Sequence, residues 1–257
     1  MGTPITATDI EALDRAAART WRGTEEEALG GWLLRAAGGF TGRANSVLTA
    51  GDPRRPLPAA AVQVQAWYRA RSLVPMASVS YPVGQPDRNP VDRYLAGQGW
   101  RRRDEAEVIV MTRPPAAIDP RPSALPVSLA AEPTDDWLAL YHFRGQPTLP
   151  PIARTVLVSA PWQAFASARD GGRTVAIGRV SGASGWAGLT AIEVDPDYRR
   201  RGLAVAVTSA LIAHAAQRGK DRIYLQVEDG NEPARALYRR LGFTDHHGYH
   251  YRVAPVS

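Results

Sequence analysis

The stretch IEVDPDYRRRGLA, residues 192–204, carries the most information in this sequence. An apolar segment that predicts a β-strand ends at Val194, and an Asp-Pro turn follows it. Three consecutive arginines then precede Gly202, where an apolar pattern of helical spacing begins. A strand, an arginine-rich turn and a helix start are the parts of an anion site, because the free N–H groups and the dipole of a helix N-terminus attract phosphate oxygens.

The residue types in this turn suit a diphosphate ligand. Gly202 has no Cβ, so the backbone can approach the ligand closely there. Ala204 keeps the next turn small, and the arginines contribute positive charge and forked N–H donors. The candidate diphosphate-binding residues are Arg199, Arg200, Arg201, Gly202, Leu203 and Ala204.

The surrounding pattern predicts a mixed α/β domain on one sheet. Residues 162–168 and 173–180 alternate as strands around Asp170-Gly171-Gly172, which is a hairpin signal. Three antiparallel strands, the third over 186–194, are expected before the arginine-rich turn. The third strand also begins a β-α-β-α-β order that continues through the turn. The remaining predicted elements are a strand over 186–194, a helix over 200–218, a strand over 221–228, a helix over 231–241 and a strand over 248–253.

A proline- and alanine-rich stretch, residues 114–126, divides the chain. Proline lacks an N–H donor and disfavours helix before it, so this stretch predicts an extended linker between domains 1–113 and 127–257. Residues 89–100 and 231–243 both have the pattern of a proline, a helix, a glycine, an aromatic residue and a strand. We interpret the N-terminal domain as a degenerate repeat of the C-terminal one.

Two segments together resemble the GNAT superfamily of N-acetyltransferases. Arg199, Gly202 and Ala204 match its acyl-coenzyme-A loop, in which Gln or Arg, two residues, Gly, one residue, and Gly or Ala follow one another. Residues 225–243 resemble the second signature of the family, and the likeness covers the chain from about residue 125 onward. It implies a catalytic GNAT-like α/β domain preceded by a degenerate GNAT-like domain that lacks such a loop.

The resemblance also implies a mechanism in which acetyl-CoA is the co-substrate. The pantetheine arm would pair with the strand edge at Val194 and hydrogen-bond with Asn231, while a primary amine attacks the thioester directly in a ternary complex. Tyr238 matches the family position that returns a proton to the leaving thiolate. A tyrosine hydroxyl, with a pKa near 10, is protonated at neutral pH, although the same ring could simply pack on the core.

The general base is left open by the sequence. If strand residues alternate, Thr190, Ile192 and Val194 share one face, none of them is a base, and Glu193 points the other way. Glu193 and Glu228, at the end of the next strand, are the candidates, with a water chain or no base as alternatives. A site without a strong base favours an α-amine, which is more often neutral than a lysine amine.

Other polar and aromatic side chains are weaker candidates. Phe143 and Trp186 lie near family substrate-binding elements and could line an acceptor pocket, although most tryptophans belong to the core. His246, His247 and His250 lie close together, but no acidic residue is spaced with them, so we expect solvated or cleft-rim histidines and no metal site.

Composition excludes several classes of function. The 257 residues include no cysteine, which removes disulfides, thiolate–zinc sites and cysteine nucleophiles. No apolar run approaches the roughly 20 residues that cross a bilayer, and the N-terminus is not a secretory signal, so a cytoplasmic protein without a membrane partner is expected. The net charge of +6 comes from arginines spread along the whole chain, which does not favour nucleic-acid binding.

The partner is therefore expected to be a small-molecule or peptide amine, bound by a monomer or a homodimer. A non-catalytic acyl-CoA sensor or partner-docking module is the alternative. The identity of the acceptor is not encoded in any motif of the sequence.

Overall fold

The computed structural model describes residues 5–103, 107–114, 125–141, 148–220 and 222–255. The chain divides into two compact units. Both are discontinuous, so the division differs from a single cut at 114–126, a stretch that lies largely outside the described residues. Unit 1 comprises residues 1–111, 227–232 and 245–257, and unit 2 comprises residues 112–226 and 233–244.

The helices of the described chain are α1 (Ala7–Thr20), α2 (Leu57–Arg69), α3 (Pro90–Gly97), α4 (Asp135–Leu140), α5 (Ile152–Leu157), α6 (Leu203–Gln217) and α7 (Glu232–Arg240). The strands are β1 (Glu25–Leu29), β2 (Trp32–Ala36), β3 (Val47–Leu48), β4 (Met76–Pro82), β5 (Arg101–Arg102), β6 (Val108–Arg113), β7 (Val127–Ala130), β8 (Trp162–Asp170), β9 (Arg173–Ala183), β10 (Trp186–Val194), β11 (Arg222–Glu228) and β12 (Thr244–Val253).

Unit 1 is built on the strand order β1-β2-β3-β4-β12-β6. The last strand of the chain, β12, pairs antiparallel with β4 over seven residues, from His247 opposite Pro82 to Val253 opposite Met76. This pairing explains why the C-terminal residues belong to unit 1. On one face of these strands, α2 buries Trp67 and Tyr68 against the apolar core.

The glycine-rich stretch after β2 is a loop that is mostly buried except at Gly38 and Gly39, which are exposed. It joins β2 to the short β3, and the two strands pair antiparallel through Leu33 and Leu48. Asn45 organises the loop between them, because its Oδ1 accepts hydrogen bonds from the amides of Ala37 and Gly39, at 2.8 and 2.9 Å. The Asn45 Nδ2 group donates to two further loop carbonyls, which satisfies the buried amide.

Unit 2 has the strand order β11-β10-β9-β8-β7 and confirms the predicted antiparallel strands. β10 then pairs parallel with β11, with α6 as the crossover. Helix α6 packs so closely on the sheet that a Cβ at Gly178 would lie 2.6 Å from Val207 Cγ1. This contact defines an α6 side of the sheet, which carries Gly178 and its alternate neighbours on β9.

The two segments interpreted as a repeat have the same local geometry. In each, a glycine of positive φ lies two residues after the helix, at Gly99 (78°) and Gly242 (84°). The aromatic amide that follows donates back to the helix, from Trp100 to the carbonyl of Leu95 and from Phe243 to the carbonyl of Tyr238, both at 3.0 Å.

Within the described ranges, no helix is both long and apolar enough to cross a bilayer.

Candidate active site

The turn after β10 is fixed by the side chain of Asp195. The Asp195 amide donates to the carbonyl of Val175 on β9 (2.9 Å), and its carboxylate accepts from the Asp197 amide (3.0 Å). Arg173 pairs with the same buried carboxylate. A short 3-10 turn over Pro196–Tyr198 follows, so the chain leaves the strand along a defined path.

The N-terminus of α6 is open. Its N-cap is Gly202, with φ of 79° in the left-handed region that favours glycine, and no side chain caps the helix. A Cβ placed there would meet no atom within 4 Å. The amides of residues 202–205 donate to no acceptor within the described part of the chain, which leaves the first helical turn with free donors.

The three arginines of the turn have different surroundings. Arg201 donates to the carbonyl of Asp197 (3.0 Å), and its guanidinium lies 4.7 Å from the centre of the Tyr198 ring. Arg199 and Arg200 are exposed and form no ion pair or hydrogen bond with any described residue. The positive charges of these two side chains are therefore available to an anion.

One edge of β10 loses its partner halfway along the strand. The parallel ladder with β11 joins Trp186 with Arg222 and ends where Leu189 meets Leu225. Residues 190–194 keep their pairing with β9 on the other side, through to Val194 opposite Ala176. In the described chain, no strand therefore pairs with residues 190–194 on the β11 side.

A β-bulge in β10 interrupts the alternation of side chains that was expected along this strand. Ala191 has a φ of 53°, and Thr190 pairs with Arg179 whereas Glu193 pairs with Ile177, so three steps on β10 match two on β9. Thr190 and Glu193 therefore share the face opposite α6, and the expectation that Thr190 shares a face with Val194 is wrong. The bulge puts the half-buried Glu193 on the same face as the buried Arg179.

Tyr238 lies on α7 in a half-buried position. Its ring packs edge-on against that of Phe243, with the centroids 5.9 Å apart. Burial raises the pKa of Tyr238 to about 12, so its hydroxyl stays protonated well above neutral pH. The hydroxyl forms no hydrogen bond with a described residue.

The other predicted site residues are less defined. Glu228 is exposed at the end of β11, and Asn231 is exposed just before α7, with its amide 3.0 Å from the Glu228 carbonyl. Trp186 is half-buried, and its ring lies 6.3 Å from that of Tyr224. Phe143 lies outside the described residues.

Two of the three histidines, His247 and His250, are buried and not solvated, contrary to expectation, whereas His246 is half-buried. His247 is fully buried with its Nε2 atom 3.0 Å from a carboxylate oxygen of Asp14, and His250 is buried 2.5 Å from Asp92. Both carboxylates come from helices distant in sequence, so no local spacing could reveal the pairs. In the described chain, no group of three or more metal-binding side chains is placed to hold a metal ion.

A parallel strand pair whose ladder stops before the strand end, followed by an uncapped helix N-terminus, is the architecture of a GNAT-type acetyltransferase. A family model described as "Probable histone acetyltransferase Rv0428c C-terminal" matches residues 7–252, so the chain belongs to this family within the GNAT superfamily. With its named relatives, this membership makes the chain an acetyl-CoA-dependent acetyltransferase.

Two relatives cover almost the whole chain. The "Probable histone acetyltransferase Rv0428c" of Mycobacterium tuberculosis is 32% identical over 262 residues, covering 99% of this chain and 76% of the relative. The "Uncharacterized N-acetyltransferase YobR" of Bacillus subtilis is 28% identical over 251 residues, covering 95% of this chain and 98% of the relative.

Solved structures agree on the fold. A GCN5-related N-acetyltransferase from Kribbella flavida has a TM-score of 0.68 at 16% identity and covers 100% of this chain and 98% of its own. A tandem GNAT protein from the clavulanic acid biosynthesis pathway has a TM-score of 0.58, also at 16% identity, and covers 82% of this chain and 74% of its own. At this identity the likeness concerns the fold alone.

Proposed function

We propose that the chain transfers the acetyl group of acetyl-CoA directly to a primary amine in a ternary complex. The observation that carries the proposal is the open first turn of α6, which follows the unpaired edge of β10. Free amides and the helix dipole attract a diphosphate, and a free strand edge suits an extended, amide-containing arm.

Backbone groups and side chains both hold the acetyl-CoA donor. The amides of residues 202–204 bind the diphosphate, and the side chains of Arg199 and Arg200 add charge-assisted hydrogen bonds. Arg201 shapes the turn through its contact with Tyr198. The edge at Val194 pairs with the pantetheine arm, and Asn231 hydrogen-bonds with it.

The amine attacks the thioester without a covalent enzyme intermediate on sulfur, since the chain has no cysteine. The new C–N bond forms as the C–S bond breaks, so the amine must lose a proton and the thiolate must gain one. Tyr238 donates a hydrogen bond to the departing sulfur. The sulfur takes its proton through this hydrogen bond, and because the pKa of Tyr238 exceeds that of a thiol, about 8.5, the tyrosinate formed at once regains a proton from solvent.

Glu193 is the proposed proton acceptor on the amine side. It is the carboxylate next to the unpaired edge of β10, and the bulge at Ala191 sets its direction. Glu228 is the second carboxylate candidate, and Trp186 and Phe143 are the proposed walls of the acceptor pocket. An α-amine, whose pKa is near 8, needs less help from a base than a lysine amine near 10.4, so we propose an α-amine of a small molecule or peptide as acceptor.

Two-substrate kinetics tests this proposal. Initial rates of thiol release are measured while acetyl-CoA and alanine amide are varied together, and then with Nα-acetyl-lysine as the ε-amine counterpart. Direct transfer gives intersecting double-reciprocal lines and a higher kcat/KM for alanine amide. Parallel lines would contradict the ternary complex, and a preference for the lysine amine would contradict the proposed acceptor class.

A further inference from the structure

Unit 1 contains a cavity of about 430 Å³, which is the size of a site for a small organic molecule. It lies between α1 and the carboxyl ends of the parallel strands β3 and β4. Ile10, Leu48 and Pro82 contribute apolar surface to its wall. Ser78 and Ser80, alternate residues on the α1 side of β4, contribute polar groups.

The carboxylate of Asp14 lines this cavity from α1, with only 9% of its side chain exposed. One oxygen lies 3.0 Å from His247 Nε2, and the other accepts no hydrogen bond from a described residue. The Nδ1 atoms of His247 and His246 are 2.7 Å apart. Both hydrogen bonds can form with neutral imidazole rings, if the His246 Nδ1–H group donates to His247 Nδ1 and the His247 Nε2–H group donates to Asp14.

Of the other charged groups at the cavity, Glu11 has an ionic partner and Arg88 has a neutral hydrogen-bond partner. Glu11 pairs with Arg15 at 2.7 Å, and Arg15 also donates to the carbonyls of Gly31 and Ala50. Arg88 is exposed and donates to the side chain of Gln85 (2.6 Å). Asp14 is therefore the acid whose charge is left for a ligand.

The same region is unsuited to a diphosphate. Helix α2, which follows β3, has Pro56 as its N-cap and Pro58 in its first turn, and neither has an N–H donor. The Gly31 amide donates to the carbonyl of Asp52 (2.6 Å), so the β1–β2 turn fills the space beside the segment before α2. An anion would also face the Asp14 carboxylate.

We propose that this cavity is a second ligand site, which binds a small organic cation. Its ammonium group pairs with the free oxygen of Asp14 and hydrogen-bonds with the hydroxyls of Ser78 and Ser80. A short apolar body packs against Ile10 and Leu48. The site lies within unit 1 and does not depend on the mechanism of acetyl transfer.

A methyl NMR titration without acetyl-CoA tests the site on the intact protein. Phenethylamine is the probe, 2-phenylethanol is its neutral counterpart, and the Ile δ1 methyl groups are labelled. Ile10 reports on the cavity, and Ile192, on β10, reports on the proposed active site. We expect the Ile10 methyl to shift with a millimolar Kd for the amine and to respond about tenfold to a hundredfold more weakly to the alcohol.

Two variants separate charge from space. Asp14→Asn should weaken amine binding to the level of the alcohol, and Ser80→Leu should fill the cavity and weaken both probes. Asp136→Asn, an exposed carboxylate in unit 2, is the control that should change neither Kd at Ile10. An unmoved Ile10 methyl, or equal affinity for amine and alcohol in the unsubstituted protein, overturns the proposal even if a variant does not fold.

Discussion

Burial raises the pKa of Tyr238 to about 12, and this decides what its hydroxyl can do. The group is a hydrogen-bond donor at every physiological pH. We expect Tyr238→Phe to lower kcat by about 10² to 10³, the usual size of a general-acid contribution, while the Kd of acetyl-CoA stays nearly unchanged. Steady-state kinetics and calorimetric titration of the variant measure the two quantities.

The matched control is Tyr94→Phe, which removes the same atom from a half-buried tyrosine of α3 in unit 1. It should leave kcat unchanged. An equal fall in both variants would indicate a general loss of structure, and an unchanged kcat in Tyr238→Phe would remove this residue from the mechanism.

The pH dependence of kcat follows from the same pKa. Because burial raises it above the ordinary value near 10, the donor form of Tyr238 persists into the alkaline range. The kcat profile of the unsubstituted enzyme should therefore show no fall from loss of this proton below about pH 11. Stopped-flow rates at saturating substrates check this, and a Tyr238-dependent fall near pH 9 would contradict it.

At the scale of the elements, the two ends of α6 offer a controlled comparison. Gly202 and Gly219 both have positive φ, 79° and 68°, and a Cβ at either position would meet no atom within 4 Å. Alanine should cost about 1 kcal/mol of unfolding free energy at each, from backbone strain alone. Only Gly202→Ala should also raise the Kd of acetyl-CoA, by roughly tenfold, because its methyl group would enter the open space before the first turn.

Chemical denaturation and calorimetry measure both effects. If Gly219→Ala weakened acetyl-CoA binding as much as Gly202→Ala, the effect would belong to helix stability and not to the ligand turn.

A second element-scale prediction concerns the attachment of α3 to β12. Burial opposes the charge of Asp92, but hydrogen bonds from Arg252 and His250 outweigh it and lower the pKa of the carboxyl. Removing the charge leaves Arg252 unpaired, so Asp92→Asn should reduce the unfolding free energy by about 3–5 kcal/mol. Asp87→Asn, an exposed carboxylate paired with Arg102, should cost less than about 1 kcal/mol.

The sign of the pH effect follows from the lowered pKa. The stabilisation from Asp92 is complete above the ordinary carboxylate pKa near 3.9 and is lost as the pH falls toward the lower folded value. The unfolding free energies of the unsubstituted protein and of Asp92→Asn should therefore converge in acid, which denaturation curves at several pH values measure. A difference that grew below pH 4 would contradict this assignment.

At the scale of the whole molecule, the domains predicted from the linker are not expected to fold separately. A fragment 1–113 lacks β12, so β4 loses its antiparallel partner and Asp14 and Asp92 lose their buried histidines. We expect this fragment to give a poorly dispersed amide spectrum and no cooperative thermal transition. A cooperative transition like that of the full chain would contradict the role given to β12.

The sequence predicted what local rules determine. The turn 199–204, the strand ending at Val194 and the helix carrying Tyr238 follow from glycine positions and apolar spacing. The bulge at Ala191 was missed because one extra residue leaves no mark on an apolar strand, and it reversed the expected direction of Thr190 relative to Val194. The buried pair of Asp14 and His247 joins residues 233 apart, and only the folded chain brings them together.

The open first turn of α6 is best tested by amide NMR of the labelled protein titrated with coenzyme A. The amides of residues 202–204 should show the largest shifts, whereas pantetheine, which lacks the diphosphate, should leave them nearly unmoved. If calorimetry shows that coenzyme A binds while these amides stay in place, the diphosphate lies elsewhere and the proposed donor site is wrong.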